Sequence, residues 1–271
     1  MPRGAAVTKV HWTAILLAGE RPGENQFAAA HGVGFKALIP VGGEPMLDRT
    51  LRTLISTDGI ARIVVLAQRP DALLAAASAE LREDCRIATA PGGDGISSSI
   101  AAIAGGPAAP FPLLVTTADH ALLTPAMVES FLARTEDVDV AFALVERSLV
   151  EASFPATRRT WLRFSDGDYS GANLFALRTP ASHEALAMWS SVEKDRKKAA
   201  RLMMSFGPLL ALRALTRTIS LDDALKRAGR RVGLTVRAVR LPFAEAAVDV
   251  DKEADLELAE TILAARAPVR R

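Results

Sequence analysis

The chain has 271 residues, of which 49% are hydrophobic and 24% charged, a balance typical of a soluble globular protein. Its net charge of +2 and aromatic content of 5% argue against general affinity for DNA or RNA, which needs a basic surface or stacking rings. The single cysteine, Cys85, excludes an intrachain disulfide and a cysteine metal cluster.

Two stretches bear on the location of the protein. The first twelve residues lack the apolar run of a signal peptide. The apolar stretch 202–212 is about half as long as the roughly 20 residues that a bilayer-spanning helix needs. We therefore expect a cytoplasmic protein.

The first half of the chain alternates short apolar runs with amphipathic segments. The apolar runs predict strands at 13–19, 61–68, 85–91, 112–119 and 138–146. The segments between them predict helices at 45–57, 70–83, 97–104 and 124–135. This alternation is typical of βαβ units, so we expect an α/β fold with a doubly wound, mostly parallel sheet.

The pattern changes after Val150. Residues 160–177 predict a β-hairpin with Asp166-Gly167 at its turn, and residues 181–231 predict a mainly helical region. The segment 234–251 is extended again, and 253–267 predicts a closing helix. We expect one domain over 1–271, in which the hairpin and the helical region form an insertion at 151–245.

Ligands of open α/β sheets bind at the carboxyl ends of the strands, so the loops there are the first candidates. The first loop starts at Leu17-Ala18-Gly19, where a backbone with few side chains can approach a base or phosphate closely. Arg21 and Lys36 flank the loop and could neutralise a triphosphate. The alternative is a flexible surface loop with two solvated cations.

A second glycine-rich loop leads into a predicted helix. Gly92, Gly93 and Gly95 precede three consecutive serines that include Ser98. A helix N-terminus presents unpaired N–H groups and the positive end of the helix dipole, which favours an anion. The alternative is that the serines simply cap the helix.

Acidic residues follow two further segments. Asp119 ends a buried strand, where a carboxylate is well placed to hold Mg²⁺, although it could also form a turn. His120 is a neighbour rather than a metal ligand, because Mg²⁺ prefers oxygen. Asp249 and Asp251 alternate along a predicted strand end, so only one would reach a metal, and Asp251 could instead cap the following helix.

The predicted hairpin carries the last candidates. Gly171 and Asn173 could offer amide groups to an acceptor molecule. A plain half-buried strand is the alternative. The basic run 193–204 most simply forms a solvated helix face. The other reading is that Lys197, Lys198 and Arg201 contact an anionic membrane surface or a phosphorylated acceptor.

The opening segment resembles that of nucleotidyltransferases with a GT-A-like, Rossmann-like fold, which include sugar-phosphate nucleotidyltransferases and MobA-like enzymes. It matches their pattern in order and spacing at Leu17, Ala18, Gly19, Lys36, Ala37, Leu38, Pro40, Val41, Gly43, Pro45, Met46 and Leu47. It departs at Glu20, where the family usually has a second glycine. The loop also lacks the usual Gly-x-Gly-x-Arg pattern.

The resemblance implies transfer of a nucleotide from an NTP, with release of pyrophosphate. Lys36 would stabilise charge on the acceptor phosphate or the α-phosphate, and Arg21 charge on the leaving pyrophosphate. The first loop, with Gly92 and Ser98, would bind the nucleotide. Asp119 with Asp249 or Asp251 would hold Mg²⁺. Gly171 and Asn173 would contact the acceptor.

The resemblance also bears on partners and organisation. It makes residues 1–150 a nucleotide-binding half, 151–245 an acceptor-side insertion, and 246–271 a closing strand and helix. CTP or GTP is favoured over ATP, the acceptor is a phosphorylated sugar, polyol, lipid-linked or cofactor molecule, and no nucleic acid is expected. The sequence predicts no particular oligomeric state.

Two other functions are compatible with the sequence. A glycosyltransferase shares the fold and a metal carboxylate but uses a ready-made nucleotide sugar. A nucleotide-binding regulatory protein without catalysis would explain the irregular first loop.

Overall fold

The computed structural model describes residues 10–20, 25–93, 95–193, 212–213 and 215–266. Arg21 of the first loop lies outside the described residues, as do Lys197, Lys198 and Arg201 of the basic run.

The described strands form one large sheet and a small antiparallel ribbon. In spatial order the large sheet contains β10 (Val236–Arg240), β7 (Val140–Glu146), β9 (Gly167–Leu177), β6 (Leu113–Thr117), β1 (Trp12–Leu17), β4 (Ile60–Ala67) and β5 (Ile87–Pro91), with β8 (Leu162–Phe164) paired to β9. The ribbon consists of β2 (Pro40–Val41) and β3 (Glu44–Pro45). Strand β1 runs parallel to β4 and β6, as β4 does to β5 and β7 to β10, whereas β9 is antiparallel to β6, β7 and β8.

The helices in the described part of the chain cover the sheet. They are α1 (Gln26–Ala30), α2 (Met46–Ser56), α3 (Pro70–Ala75), α4 (Ala79–Glu83), α5 (Ile96–Ile103), α6 (Pro125–Leu132), α7 (Arg147–Ser153), α8 (Ser182–Glu193), α9 (Leu221–Val232) and α10 (Glu253–Arg266). Two short 3₁₀ helices span Lys36–Leu38 and Ala244–Ala247. No helix among the described residues has the length and apolarity needed to cross a bilayer.

Strand β1 has apolar side chains on both faces. Leu16 packs into a core cluster with Leu51 of α2 and Phe131 of α6. Ile15 points the other way, into a cluster with Ile100 of α5. Alternation of side chains along a strand places neighbours on opposite faces, so both faces of the sheet are covered. Each fully buried aliphatic side chain contributes about 2 kcal/mol. The predicted α/β fold with a doubly wound, mostly parallel sheet is confirmed.

The predicted helix at 70–83 is divided in two. Helix α3 ends at Ala75 and α4 begins at Ala79. Between them Ser78 is extended, and its N–H donates a hydrogen bond to Oδ2 of Asp48 in α2 at 3.0 Å. This contact between distant segments overrides the local preference for a continuous helix.

The predicted hairpin forms, but its turn is shifted by one residue. Gly167 pairs with Phe164, so the turn residues are Ser165 and Asp166 rather than Asp166 and Gly167. The Asp166 carboxylate accepts a hydrogen bond from the Leu221 N–H at 2.9 Å and contacts Arg240 at 3.0 Å. These tertiary contacts hold Asp166 within the turn.

The expected strand around Asp249 and Asp251 is absent from the described structure. Strand β10 ends at Arg240, a 3₁₀ helix follows at Ala244–Ala247, and residues 248–251 are irregular. The N–H of Val250 donates to the carbonyl oxygen of Asp119 at 3.0 Å. One backbone hydrogen bond therefore ties this segment to the end of β6 in place of strand pairing.

Candidate functional site

The candidate site lies where parallel strands β5, β4, β1 and β6 end together. The N–H of Ala18 donates to the Leu66 carbonyl at 3.0 Å, and the Leu17 carbonyl accepts from the Ala118 N–H at 2.9 Å. Leu17 and Ala18 are thus fixed by the adjacent strands. A Cβ added to Gly19 would lie 3.0 Å from Oε1 of Gln68, so glycine suits this close approach.

Glu20, which replaces the glycine usual in the resembled family, closes the first loop. Its Oε1 accepts the backbone N–H of Lys36 at 2.6 Å and a longer hydrogen bond from Asn25 at 3.5 Å. Its backbone exchanges two hydrogen bonds with the amide of Gln68, at 2.9 and 3.0 Å. Glu20 therefore links the end of β1 to the backbone of Lys36.

Lys36 contacts two carboxylates at once. Its Nζ donates to Oδ2 of Asp119 at 2.6 Å and to Oδ1 of Asp251 at 2.5 Å. Burial alone would lower the pKa of the Lys36 ammonium, but the charges and hydrogen bonds of Asp119 and Asp251 raise it above its ordinary value. Lys36 is accordingly a fixed positive charge at neutral pH.

A hydrophobic cluster beneath Lys36 explains why these segments meet. Ile39 and Val41, just after Lys36, are fully buried with Val248 and Val250. Leu256 of α10 packs into the same cluster. Apolar burial thus brings the chain around Asp251 against the chain around Lys36, although 215 positions separate the two charged residues.

Asp119 and His120 lie just after β6, in different environments. Oδ1 of Asp119 is buried and has no hydrogen-bond partner among the described residues, while Oδ2 binds Lys36. His120 is 1% exposed, and neither of its ring nitrogens has a partner within the same part of the chain. Burial lowers the pKa of His120 to about 4, against the opposing charge of Asp119. The imidazole is therefore neutral at pH 7.

The carboxylates of Asp249 and Asp251 bind different partners. The Asp249 carboxylate accepts a hydrogen bond from Arg159 at 2.6 Å, whereas that of Asp251 binds Lys36. Burial raises the pKa of Asp249 above its ordinary value; the Asp251 and Asp119 charges add to this, and Arg159 opposes it. The Asp251 carboxylate makes no capping bond to α10 among the described residues. Instead Asp255, in the first turn of α10, accepts from the Asp251 N–H at 3.4 Å.

These side chains form one charged cluster. It contains four carboxylates and two cations, so it carries two excess negative charges when all are ionised: Asp119, Asp249, Asp251, Asp255, Lys36 and Arg159. Among the described residues, no group of three or more carboxylate, imidazole or thiol side chains could hold a metal ion by itself. Mg²⁺ commonly needs only one or two carboxylates, together with substrate phosphates and water. The free Oδ1 of Asp119 and the excess charge fit such an ion.

The second loop packs closely against β4. The N–H of Gly92 donates to the Ala67 carbonyl at 2.7 Å, and a Cβ on Gly92 would lie 3.5 Å from that backbone. The alternative that the serines cap α5 does not hold, because Gly95 is the N-cap residue and Ser98 and Ser99 donate to its carbonyl. The Glu193 carboxylate of α8 accepts from the Ile96 N–H at 2.7 Å instead. A distant acid thus meets the positive end of the α5 dipole.

The hairpin residues lie at a bulge in β9. Between two paired positions, β7 contains one residue, Ala143, whereas β9 contains three, Ala172 to Leu174. Asn173 has a φ of 46°, a left-handed conformation that is uncommon outside glycine. Gly171 is exposed, with open space around an added Cβ. Bulges with strained backbone often occur beside functional sites.

A family model, the MobA-like NTP transferase domain, matches residues 14–201. The chain belongs to the MobA-like NTP transferase family. It is therefore an enzyme of the nucleotidyltransferase class, as the opening motif predicted. No curated protein matches the chain significantly.

Solved structures agree with this MobA-like fold. A hypothetical transferase from Thermus thermophilus is 29% identical, with a TM-score of 0.74 over 91% of this chain and 100% of its own. The 4-diphosphocytidyl-2C-methyl-D-erythritol synthase of Anaerococcus prevotii is 13% identical, with a TM-score of 0.55 over 95% and 98%. A CMP:2-keto-3-deoxy-manno-octonic acid synthetase complexed with CTP is 13% identical, with a TM-score of 0.53 over 96% and 100%. The last two similarities concern the fold alone.

The structure of this MobA-like transferase also brings in residues that sequence reasoning missed. They are Asn25, Gln68, Arg159, Glu193 and Asp255. All make polar contacts within or beside the predicted site. The first four carried no motif signal, because each contacts a partner distant in the chain or a backbone group. Asp255 did carry one, since the resembled family closes with a similar Asp-x-Asp-Thr-x-x-Asp-Leu pattern, which here starts at Asp249. Of these, Arg159 is the one cation that the structure adds to the cluster.

Proposed function

We propose that this enzyme transfers a nucleoside monophosphate from an NTP to a phosphorylated small-molecule acceptor, releases pyrophosphate and uses Mg²⁺. The observation that supports this most directly is the position of Lys36 Nζ between Asp119 and Asp251. Family membership supports the use of an NTP. The arrangement provides a fixed cation and two carboxylates beside a glycine loop, which suits a polyphosphate.

The reaction needs charge control more than a strong base. An acceptor phosphate oxygen, already ionised at neutral pH, attacks the α-phosphorus. The bond from that phosphorus to the bridging oxygen breaks, and pyrophosphate leaves with the electron pair. The Lys36 ammonium, kept protonated by its two acidic neighbours, stabilises charge on the α-phosphate or on the acceptor phosphate. Catalysis then depends on alignment and electrostatic stabilisation.

Asp119 and Asp251 would hold the magnesium ion. Its chemistry would be to neutralise phosphate oxygens and to orient the triphosphate. The donor set fits because Asp119 Oδ1 is unpartnered within the described residues and the cluster has excess negative charge. Between the two candidates for second ligand we favour Asp251, since the carboxylate of Asp249 is bound to Arg159.

The nucleotide would contact backbone more than side chains. We assign it to the loop Leu17, Ala18 and Gly19 and to the second loop around Gly92 and Ser98. The two loops follow strands that both pair with β4, the first loop after β1 and the second after β5, and they lie at the same edge of the sheet. Arg21 would stabilise the leaving pyrophosphate. CTP or GTP remains our proposed donor, and the CTP-bound synthetase with a similar fold makes CTP the first nucleotide to test.

The acceptor would bind beside the β9 bulge. Exposed Gly171 leaves room for a ligand, and the Asn173 side chain makes no hydrogen bond to the described residues. Its amide is therefore free to bind an acceptor. We propose that residues 1–271 act as one transferase domain and that 151–245 supply this acceptor side.

The test is a pyrophosphate-release screen. Each of the four NTPs, with Mg²⁺, is incubated with the purified full chain and with sugar, polyol and cofactor phosphates. The proposal expects acceptor-dependent pyrophosphate release that Asp119→Ala abolishes. Release of a nucleoside diphosphate from a nucleotide sugar, without any pyrophosphate from NTPs, would instead identify a glycosyltransferase. Tight NTP binding without turnover across the screen would favour a regulatory protein.

A further inference from the structure

Arg159 lies in the connection between α7 and β8, yet its side chain is only 9% exposed. Its guanidinium donates to Oδ1 of Asp249 at 2.6 Å and to Oδ1 of Asp255 at 3.2 Å. Each carboxylate accepts a hydrogen bond from a different guanidinium nitrogen. Removing either partner of such a buried pair would leave an uncompensated charge, so the arginine and its two acids are held to one arrangement.

The contacts of Arg159 continue toward Lys36. Asp255 Oδ2 accepts the Asp251 N–H at 3.4 Å, while its other oxygen binds Arg159. The Asp251 carboxylate then reaches Lys36 at 2.5 Å. A series of polar contacts therefore runs from the connection before β8, through the start of α10, to the candidate catalytic lysine.

The segment 248–251 has little regular structure of its own. The Val250 N–H bond to Asp119 is one restraint, and the Asp255 bond to Asp251 is another. The carboxylates of Asp249 and Asp251 must also be kept apart, because like charges in proximity repel. Arg159 binds the carboxylate of Asp249, whereas Lys36 binds that of Asp251, so each of the two carboxylates has its own cation.

We propose that Arg159 is a positioning residue that holds the segment 248–251 so that the Asp251 carboxylate meets the Lys36 ammonium, which also binds Asp119. It does so through Asp249 and Asp255. Residues 151–245, the proposed acceptor side, are thereby coupled to the carboxylates proposed to bind metal. The metal-related part rests on the proposed function. The positioning itself is a property of the ligand-free chain.

A first experiment measures positioning without metal or nucleotide. Amide hydrogen exchange is followed in peptides covering 248–252 for the wild type, for Arg159→Lys and for the control Arg158→Lys. Arg158 is the exposed neighbour of Arg159. Lysine keeps the charge but lacks a planar group that can reach two carboxylates. We expect exchange in 248–252 to accelerate at least about tenfold in Arg159→Lys and to stay unchanged in Arg158→Lys.

A second experiment measures divalent cation binding by the nucleotide-free full chain. Mn²⁺ affinity is determined from the electron paramagnetic resonance signal of the free ion. Loss of a group that orients metal ligands typically weakens metal binding by about 10- to 100-fold. We expect a loss in this range for Arg159→Lys and none for Arg158→Lys. In turnover assays kcat should fall while the KM for the NTP changes less than twofold.

A second variant keeps the test decisive if Arg159→Lys does not fold. Asp255→Asn keeps the Arg159–Asp249 pair but weakens the link to Asp251, so it should show the same direction of change. Thermal unfolding identifies any variant that does not fold, and the other variant then decides. Unchanged exchange in 248–252, or Mn²⁺ affinity within twofold of the wild type, in a folded variant overturns the proposal.

The outcomes separate this inference from the proposed function. Pyrophosphate release by the wild type together with normal Mn²⁺ affinity in Arg159→Lys would overturn the positioning role and leave the transferase proposal standing. No pyrophosphate release by the wild type, with faster exchange and weaker Mn²⁺ binding in Arg159→Lys, would do the reverse. A wild type that binds no Mn²⁺ would overturn the metal-related part of both.

Discussion

The Nζ of Lys36 lies 2.6 Å from Oδ2 of Asp119, although 83 positions of the chain separate the two residues. Lys36 follows the loop after β1, and Asp119 follows β6, the parallel neighbour of β1. Because both strands end at the same edge of the sheet, their loops meet there. A cation and a carboxylate brought together in this way can act on the same phosphate group.

Replacing the Lys36 ammonium should remove transition-state stabilisation. We expect Lys36→Met to lower kcat for pyrophosphate release by about 100- to 1,000-fold, the range for loss of one preorganised donor. Lys36→Arg should recover part of the rate because it keeps the charge. The matched control is Lys252→Met, an exposed lysine beside Asp251. A kcat within tenfold of the wild type would remove Lys36 from the mechanism.

Neutralising Asp119 should weaken the binding of Mg²⁺. We expect Asp119→Asn to raise the Mg²⁺ concentration for half-maximal activity by at least about tenfold, because one charged oxygen ligand is lost. Activity is measured across a magnesium titration. Asp137→Asn, at an exposed position, serves as the control. An unchanged titration curve for Asp119→Asn would show that this carboxylate does not hold the ion.

Substitutions at Asn173 should separate backbone strain from acceptor binding. Asn173→Ala should lower stability by about 1 kcal/mol, because alanine disfavours a φ of 46°, whereas Asn173→Gly should not. Both variants lose the side-chain amide of Asn173. Both should therefore raise the KM for the acceptor and leave the KM for the NTP unchanged. Thermal unfolding and steady-state kinetics measure the two effects. Equal acceptor KM values in all three proteins would contradict a binding role.

Glu20 should stabilise the fold, and its presence in place of the usual glycine should not mean that the enzyme is inactive. Glu20→Gly, which introduces the residue usual in the resembled family, removes the carboxylate that accepts the Lys36 N–H at 2.6 Å. We expect a loss of about 1–2 kcal/mol in the free energy of unfolding, in line with hydrogen bonds to charged groups. Denaturant unfolding measures this loss, with Glu24→Gly, four positions further along the chain, as the comparison. A variant as stable as the wild type would show that this bond contributes little.

Asp139 should make stability depend on pH. Hydrogen bonds from the Thr179 and Thr235 side chains, and from the Thr235 N–H, hold the pKa of its carboxyl below the usual range. A lowered pKa means that the stabilisation is present above the unfolded-state pKa of about 4 and is lost as pH falls through the folded-state value.

The corresponding variant is Asp139→Asn. It should be less stable than the wild type by about 1 kcal/mol at pH 7, a value kept small because the site is partly exposed. The difference should shrink in denaturant unfolding at pH 3, because the carboxyl is then largely protonated in the unfolded state and the advantage of the folded, ionised form is reduced. A gap of the same size at both pH values would mean that ionisation of Asp139 contributes nothing.

Local pattern was sufficient for most of the architecture. Apolar runs identified the strands that end beside the site, and the spacing from Gly19 to Leu47 identified the transferase family. The local sequence pattern was insufficient where a residue distant in the chain determines the local conformation. The Ser78–Asp48 bond divides a predicted helix, the Asp166 contacts shift a turn, and Val250 bonds to Asp119 where a strand was expected. The roles assigned to individual site residues stay predictions.

Strand and turn preferences act between near neighbours in the chain, so they were enough to predict the sheet and the loops at its carboxyl edge, and the opening motif indicated the family. Which charges meet depended on the packing of segments that lie far apart in the sequence. Arg159 pairs with Asp249 across 90 positions, and Glu193 meets the start of α5 across 97. Such pairs depend on how buried apolar surfaces dock distant segments together, and neither partner carries a local signal of the other.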